Sequence, residues 1–232
     1  MNIVVFGANG PTGRLAVARA AAAGHTVTAV TRRPDAFPVG GARVVGADVH
    51  DAAAVGAAVA GQHAVISALG VPYTREQVTV YSGGLTHITG AMAEHGVRRL
   101  VAVTSTVLFG TPAPGENFLF RRVLEPSIMR FMGRTVYEDM RRMEEIVRRS
   151  GLDWTVLRPG GLFDAERVSD YLTGTSRLAG RYTARVDLAC ELVRQAAGER
   201  GQVGEFVDVR TTVGTPSLLD LMRKEAVGGK AA

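Results

Sequence analysis

Short apolar runs alternate with longer stretches of helical periodicity along most of the chain, which is the pattern of an α/β protein. Runs rich in β-branched residues predict strands at residues 3–6, 25–31, 42–45, 63–67, 99–104, 153–158 and 205–209. Apolar stripes at helical spacing predict helices at residues 11–23, 52–60, 74–95, 134–150, 186–197 and 217–225. This alternation favours a doubly wound parallel sheet in a single domain.

The first predicted strand is followed at once by a glycine-rich turn and the start of a helix, all within residues 2–14. Gly7, Gly10 and Gly13 are spaced three apart, and Ala8 stands where the more common dinucleotide motif has a glycine. Gly7 allows a sharp bend, Gly10 lets a diphosphate lie against the backbone, and Gly13 lets the helix pack closely on the strand. The turn therefore predicts dinucleotide binding, with a tight turn that binds no nucleotide as the alternative.

The end of the second predicted strand bears on the choice between NADP and NAD. In a dinucleotide fold, an acidic residue here would bind the ribose 2′-hydroxyl of NAD, whereas arginine would bind the 2′-phosphate of NADP. The strand runs directly into Arg32 and Arg33, which predicts a preference for NADP(H) over NAD(H). The alternative is a solvated arginine pair in a loop closed by Pro34, with Asp35 as a residue that would favour NAD.

The residues after the third predicted strand are expected to contact the adenine, and those after the fourth predicted strand are expected to contact the cofactor through their backbone. Asp48 could accept a hydrogen bond from the adenine amino group while the Val49 N–H donates one, or Asp48 could instead cap the helix that starts near Asp51. Ala68 and Gly70 lie near the point where strand order reverses in a doubly wound sheet, and we expect backbone contacts from both.

Hydroxyl side chains follow the fifth predicted strand at the same edge of the sheet. We expect Thr104 to face the cofactor and Ser105 to face the substrate, with turn formation or a helix cap as the alternative for Ser105. Residues 108–133 then break the pattern with prolines and a stretch rich in Phe, Met and Leu. That stretch could form a roof over the crevice, a dimer surface or ordinary core.

The composition argues against a nucleic-acid-binding protein and against a membrane protein. The net charge is +5 and the pI is about 9.9, but the densest arginines alternate with acids, which is typical of a solvated helix face rather than a nucleic-acid surface. The acid-first pairs at i, i+4 are Glu138 with Arg142, Glu144 with Arg148, and Glu145 with Arg149. No apolar run is long enough for a membrane span, and a strand that begins at residue 2 argues against a cleavable signal peptide. The single cysteine, Cys190, reads as a buried thiol, so we expect a cytoplasmic protein without a metal site.

Several segments together resemble the atypical short-chain dehydrogenase/reductases, and within them the NAD(P)H-binding group of NmrA-like and biliverdin reductase B-like (flavin reductase-like) proteins. The segments are NIVVFGANGPTGR, the arginine pair, ADV, SALG, VAVTST, SGLDWTVLRPGGL and RVDLA. The resemblance implies a Rossmann-like sheet of order 3-2-1-4-5-6-7 with a small substrate-side cap from residues 107–135 and 160–185. It also implies cofactor contacts at Gly7, Asn9, Gly10, Pro11, Thr12, Gly13, Arg32, Arg33, Asp48, Val49, Ala68, Leu69 and Gly70.

The chain departs from this group at the proton-transfer residues. Members that oxidise alcohols use a Tyr-x-x-x-Lys pair, yet the only lysines here are Lys224 and Lys230. Counting back from the Arg-Pro of LRPGG places the tyrosine and lysine positions at Val136 and Met140, in an apolar stripe. Tyr137 is one residue from the expected place and remains a candidate.

A second departure concerns biliverdin reductase B-like proteins, because the histidine that they carry after the strand-six proline is replaced by Gly161. Ser105 matches their serine. Taken together, these features predict an NADPH-dependent oxidoreductase that passes hydride to a flat conjugated acceptor of flavin or quinone type, as a monomer or homodimer. The candidate substrate contacts are Phe118, Phe120, Met132, Pro159 and Gly160. The alternative function is a non-catalytic NADP(H)-binding redox sensor of NmrA-like type; isomerase chemistry on a nucleotide sugar would need the missing Tyr-Lys pair.

Overall fold

A computed structural model describes residues 1–111, residue 114 and residues 133–216. The strands are β1 Asn2–Phe6, β2 Thr26–Thr31, β3 Ala42–Gly46, β4 Ala64–Ser67, β5 Arg99–Val103, β6 Asp153–Pro159, β7 Gly161–Phe163, β8 Leu172–Gly174, β9 Tyr182–Ala184 and β10 Glu205–Arg210. The helices are α1 Pro11–Ala22, α2 Ala52–Val59, α3 Val80–Glu94, α4 Arg134–Arg149 and α5 Arg185–Ala196. Short 3₁₀ helices cover Pro34–Ala36 and Thr106–Phe109. The predicted closing helix at residues 217–225 lies outside the described residues.

The apolar runs assemble into a sheet of order β3-β2-β1-β4-β5-β6-β10-β8. All neighbours in it are parallel except β10 and β8, which run antiparallel. The strand order reverses between β1 and β4, so the carboxyl ends of these two strands border the crevice where ligands bind in such sheets. The Rossmann-like order predicted for seven strands is confirmed, with β10 as the seventh strand and β8 as an additional edge strand.

Helices cover both faces of the sheet because successive strand residues point to opposite sides. Ile3 and Val5 pack with α1 and α5 on one face, whereas Val4 and Phe6 pack with α2, α3 and α4 on the other. All four of these β1 side chains are fully buried. Among the described residues, none of the helices combines the length and apolarity that a bilayer span would require.

The start of α3 differs from the sequence prediction. The helix begins at Val80 rather than at residue 74, and the residues before it form a loop. Its first N–H groups are capped from another helix, since the buried carboxylate of Asp139 on α4 accepts from Tyr81 N at 2.9 Å and from Ser82 N at 3.3 Å. The boundary was wrong because a tertiary partner sets it: Thr79 stands at the N-cap position, but its side chain forms no capping hydrogen bond.

The two edges of the sheet are unlike each other. β3 forms one edge, where Arg43 and Val44 are exposed. The other edge is the three-residue strand β8, and a separate parallel pair of β7 and β9 lies within the predicted cap segment 160–185. These three short strands were not predicted, because three residues are too few to show the alternation of apolar and polar positions that marks a strand.

Candidate functional site

In the glycine turn between β1 and α1, two of the three glycines are required by the packing of the chain, and the third has space beside it for a ligand. Gly7 has φ +74°, and a Cβ there would lie 2.5 Å from the Ala68 carbonyl oxygen. A Cβ on Gly13 would overlap the Gly7 carbonyl and lie 2.9 Å from the Ala8 Cα, so both glycines are required by the chain's own packing. A Cβ on Gly10 would approach only the Gly7 oxygen, at 3.3 Å. The space beside Gly10 therefore fits a diphosphate lying against the backbone.

The N-terminus of α1 is prepared for an anion. Gly10 is its N-cap residue, no side chain caps it, and its first turn contains no acidic residue. Proline occupies its first position, which leaves the N–H groups of Thr12 and Gly13 without intrahelical partners. By contrast, α2 is capped by the side chain of Asp51. The predicted phosphate contacts Pro11, Thr12 and Gly13 thus lie at an uncapped, positively polarised helix end.

Arg14 is a site residue that the sequence analysis missed. Its guanidinium donates two hydrogen bonds to the Asn9 Oδ1, from Nε at 3.0 Å and Nη2 at 2.7 Å. Because this oxygen is occupied, the Nδ2 amide of Asn9 is the group left to donate to a ligand. A basic residue directly after the last glycine of the turn was the available signal.

Arg32 and Arg33 follow β2 and are both exposed. Neither guanidinium forms an ion pair with any described residue, while the Arg33 N–H is held by the Thr31 hydroxyl at 3.2 Å. Asp35, the residue that would favour NAD, lies exposed in the following 3₁₀ helix. Both arginines are thus available to an anionic group at the end of β2.

The hydrogen bonds of the loop after β3 show whether Asp48 caps α2. The side chain of Asp48 accepts from the backbone N–H of His50 at 2.9 Å, whereas Asp51 caps α2 by accepting from two N–H groups at 3.0 and 3.1 Å. The interpretation of Asp48 as the helix cap was therefore wrong. Asp48 is half-buried, and its contact with adenine remains a prediction.

Val49 and Leu69, predicted to contact the cofactor, meet across one glycine of α3. A Cβ on Gly84 would lie 2.9 Å from the Leu69 Cδ1 and 3.2 Å from the Val49 side chain. His87, one turn further along α3, contacts the Val49 carbonyl through Nδ1 at 2.8 Å. Both the loop after β3 and the loop after β4 therefore pack against α3. Gly70 is exposed, with nothing within 4 Å of a Cβ built on it.

Thr104 is placed differently from its prediction. Its hydroxyl donates to the Glu144 Oε1 at 2.8 Å in a buried layer between the sheet and α4, so the side chain does not point into the crevice as expected. Glu144 also forms a buried, two-pronged ion pair with Arg158, at 2.9 and 2.6 Å. The predicted solvated pair of Glu144 with Arg148 was therefore wrong. Of the other two predicted pairs, Glu145 with Arg149 is present.

In the third predicted pair, each partner is bonded elsewhere. Glu138 contacts Arg134 at 2.8 Å, and Arg142 contacts Asp139 at 3.1 Å. The exposed face of α4 still carries the mixed charges that the sequence indicated.

Ser105 and Tyr137, the two catalytic candidates, come together at the carboxyl end of β5. The Ser105 hydroxyl accepts from Val107 N at 3.3 Å and so caps the 3₁₀ helix Thr106–Phe109, which confirms the alternative given for it. The Ser105 side chain also lies near Tyr137 and acts to lower its pKa. The Tyr137 hydroxyl lies 2.9 Å from that of Tyr73 in the loop before α3. Burial, followed by the Tyr73 hydrogen bond, raises the pKa of Tyr137 well above its usual range. Tyr137 therefore stays a neutral phenol that can donate a hydrogen bond.

The predicted substrate residues after β6 face other parts of the protein. Pro159 is buried, and the Gly160 N–H donates to the Thr183 hydroxyl at 2.9 Å. A Cβ on Gly160 would overlap Arg210 and the Arg181 carbonyl, so this glycine is required by packing. The remaining candidates, Phe118, Phe120 and Met132, lie outside the described residues.

Solved structures share this fold. ChuY, an anaerobillin reductase from Escherichia coli O157:H7, matches with a TM-score of 0.72 and 21% identity over 94% of this chain and 100% of that one. A wide-type short-chain dehydrogenase/reductase from Veillonella parvula, solved in complex with NADP, matches with a TM-score of 0.73 and 16% identity over 94% of this chain and 99% of that one. At these identities the likeness shows a shared fold.

Curated relatives match over a shorter stretch. An uncharacterized protein of Mycobacterium bovis is 36% identical over 106 residues, which are 45% of this chain and 12% of the relative. The chain thus spans only a small part of the length of such relatives. A family model described as NAD(P)H-binding matches residues 7–199, and the match begins at the glycine turn. Since this match covers most of the sequence, the chain belongs to the NAD(P)H-binding family.

Proposed function

We propose that this protein is an NADPH-dependent oxidoreductase that passes hydride to a flat conjugated acceptor of flavin or quinone type. The observation that carries the proposal is the pairing of Ser105 with a neutral, buried Tyr137 at the sheet edge that also bears the glycine turn. When bound, the reduced nicotinamide supplies the hydride. The acceptor is a small molecule, and we further propose a cytoplasmic protein, since its one cysteine is buried and reduced.

The residues that would hold the cofactor divide by the part they contact. The uncapped start of α1 and the open side of Gly10 suit the diphosphate, and Arg32 and Arg33 suit the 2′-phosphate. Two charge-assisted hydrogen bonds to that phosphate, each about 1 to 2 kcal/mol in a solvated setting, correspond to a roughly ten- to several-hundredfold preference for NADPH.

The state of Tyr137 indicates which acceptors suit the site. A lysine beside the tyrosine would lower its pKa for proton exchange with an alcohol, but α4 contains none and the pKa of Tyr137 is raised instead. A phenol of this kind stabilises an oxygen that gains negative charge by donating a hydrogen bond to it. Conjugated acceptors delocalise that charge, so they depend less on a strong acid. Orientation of the two reactants can then supply up to about 7 to 11 kcal/mol.

The acceptor is tested by mixing purified protein with NADPH and a panel of flavins and quinones while following the loss of NADPH absorbance. We expect turnover of at least one acceptor and a fall in kcat of about tenfold or more in Ser105→Ala and in Tyr137→Phe, because each removes a donor. Ser150→Ala, at the far end of α4, is the matched control and should retain full activity. Tight NADPH binding without turnover of any acceptor would instead support the redox sensor.

The cofactor preference is tested by calorimetric titration with NADPH and NADH. We expect Arg32→Ala and Arg33→Ala each to weaken NADPH binding about tenfold and to leave NADH binding nearly unchanged. Arg19→Ala, which removes an exposed arginine from the last turn of α1, should alter neither. Equal affinity of the unmodified protein for the two cofactors would contradict the assignment of the arginine pair.

A further inference from the structure

A row of hydroxyl groups connects the buried catalytic candidate to water. The Tyr137 hydroxyl lies 2.9 Å from the Tyr73 hydroxyl, and the Ser105 side chain lies near it. Tyr137 is 7% exposed, whereas Tyr73 is 54% exposed. Either tyrosine can be the donor in the bond between them, so a proton can pass along the row in either direction.

The packing around the two tyrosines holds this arrangement in place. Their ring centroids are 6.1 Å apart with the planes inclined at 52°. A Cβ on Gly133 would lie 2.6 Å from the Tyr137 ring and 3.2 Å from the Tyr73 ring, so a glycine is needed where the rings meet. The Thr135 hydroxyl also donates to the Thr74 carbonyl at 2.9 Å, which fastens the loop carrying Tyr73 to α4.

We propose that Tyr73 relays a proton from water to Tyr137 during reduction of the acceptor. This inference rests on the proposed function. The acceptor gains a hydride, and its reduced anion takes the hydroxyl proton of Tyr137 as a new O–H or N–H bond forms. Tyr137 takes the hydroxyl proton of Tyr73, which takes one from a water molecule at the surface, and the hydroxide that remains is neutralised in the bulk solvent. Each tyrosine ends as it began, and the product carries one hydride and one proton. Tyr73 therefore acts through Tyr137 rather than on the acceptor itself.

The surroundings of Tyr137 favour such a relay. Its neighbours are the phenols of Tyr73 and Tyr81 and the hydroxyl of Ser105, and burial raises the pKa of Tyr137. A Tyr137 that gave up its proton alone would leave a desolvated phenolate, which is costly. Concerted replacement of that proton through an exposed hydroxyl avoids the buried charge.

The path is tested in the protein without cofactor by measuring how fast the Tyr137 hydroxyl exchanges its proton with water. Tyrosine labelled with ¹³C at Cζ reports this exchange in mixed H₂O and D₂O, and the Tyr137 signal is identified by its loss in Tyr137→Phe. We expect Tyr73→Phe, which keeps the ring, to slow the exchange at least about tenfold. Tyr171, whose hydroxyl donates to the buried Glu191, is an internal reference that should not change. Unchanged or faster exchange in Tyr73→Phe would overturn the relay.

Turnover separates this result from the proposed function. With an active acceptor, Tyr73→Phe should lower kcat about tenfold, leave KM for NADPH unchanged and increase the solvent deuterium isotope effect on kcat. Thr86→Val is the matched control, because it removes an exposed hydroxyl that donates to the Ser82 carbonyl within α3 and takes no part in the row. A similar loss in Thr86→Val, or an unchanged kcat in Tyr73→Phe, would overturn the relay. Absence of turnover in the unmodified protein would overturn the proposed function, whereas the exchange measurement would still decide whether the path exists.

Discussion

The three glycines of the turn after β1 are glycines for different reasons. Gly7 and Gly13 leave no room for a Cβ, because backbone atoms of Ala8 and Ala68 occupy that space. Gly10 has an ordinary extended conformation, with φ −69° and ψ 159°, and its closest neighbour would be 3.3 Å from a Cβ. The fold thus leaves more room at position 10 than at positions 7 and 13, and we propose that a ligand accounts for the glycine there.

This difference predicts opposite effects for two similar substitutions. Gly13→Ala should lower the free energy of unfolding by about 3 kcal/mol, because the added methyl group overlaps backbone atoms. Gly10→Ala should lower it by about 1 kcal/mol or less, yet it should weaken NADPH binding at least about tenfold. Urea unfolding and calorimetric titration of both variants check the pair. Full NADPH affinity in Gly10→Ala would show that no diphosphate lies against this residue.

Sequence reasoning at the residue scale succeeded where the partner is local and failed where it is distant. The glycine turn was recognisable because strand, bend and helix start are adjacent in sequence. Glu144 was assigned to a solvated face because Arg148 follows it at i+4, but Arg158 on β6 and Thr104 after β5 reach it from other elements. The pairing of Ser105 with Tyr137 likewise depends on tertiary contacts that no spacing in the sequence reveals.

At the element scale, α3 and α4 share one buried carboxylate. Asp139 is fully buried, accepts from the first N–H groups of α3 and from the Ser82 hydroxyl, and bonds Arg142 at 3.1 Å. The same arginine donates to the Val78 carbonyl, just before α3. The position at which α3 begins is thus determined from α4.

Removal of this carboxylate should be costly, whereas removal of the acid next to it should not. Asp139→Ala should lower the free energy of unfolding by about 2 to 3 kcal/mol, because it leaves buried N–H groups of α3 without an acceptor. Glu138→Ala, which breaks an exposed ion pair with Arg134, should change it by less than about 0.5 kcal/mol. Equal losses in urea unfolding of the two variants would contradict the shared cap.

Most element boundaries were predicted within one or two residues, because hydrophobic period and terminating glycines are local signals. Gly24, Gly96 and Gly151 each have positive φ directly after an element or its cap, as their places in the sequence indicated. The strands β7, β8 and β9 could not be predicted, since each has only three residues and depends on pairing with a distant neighbour.

For the whole molecule, the strand order was predictable because right-handed crossovers allow few alternatives for a chain of alternating strands and helices. The resemblance to dinucleotide-binding proteins selected one of those alternatives, and the observed order β3-β2-β1-β4-β5-β6-β10 confirms it. The additional edge strand β8 lies in the cap segment and runs antiparallel to β10. It was not predictable, because it is not part of the repeating strand-helix pattern.

Buried phenols predict how the stability of the whole protein responds to alkali. Burial raises the pKa of Tyr81 to about 12 from 10.0, so the unfolded chain releases this proton first as the pH rises. The resulting stabilisation is complete below about pH 10 and is lost between about pH 10 and 12, at up to about 1.4 kcal/mol per pH unit. The raised pKa of Tyr137 adds to the loss in the same direction.

Urea unfolding between neutral pH and alkaline pH checks this response. Tyr81→Phe should flatten the alkaline decline, because the substituted side chain has no proton to release. At neutral pH it should cost less than about 1 kcal/mol, since the Tyr81 hydroxyl accepts only one long hydrogen bond, of 3.4 Å, from Val71 N. An identical alkaline decline in the two proteins would show that Tyr81 ionises equally readily in both states.

The exposed border formed by β3 has a consequence for behaviour at high concentration. Unpaired backbone groups along such a border invite a second chain to add a strand, and neighbouring valines would favour that addition. Arg43 places a positive charge near the start of this border, and Pro34 packs against its last residue, Gly46. Two copies that approach border to border would bring like charges together and meet a proline ring. We therefore expect these two residues to oppose the addition of a further strand at this border.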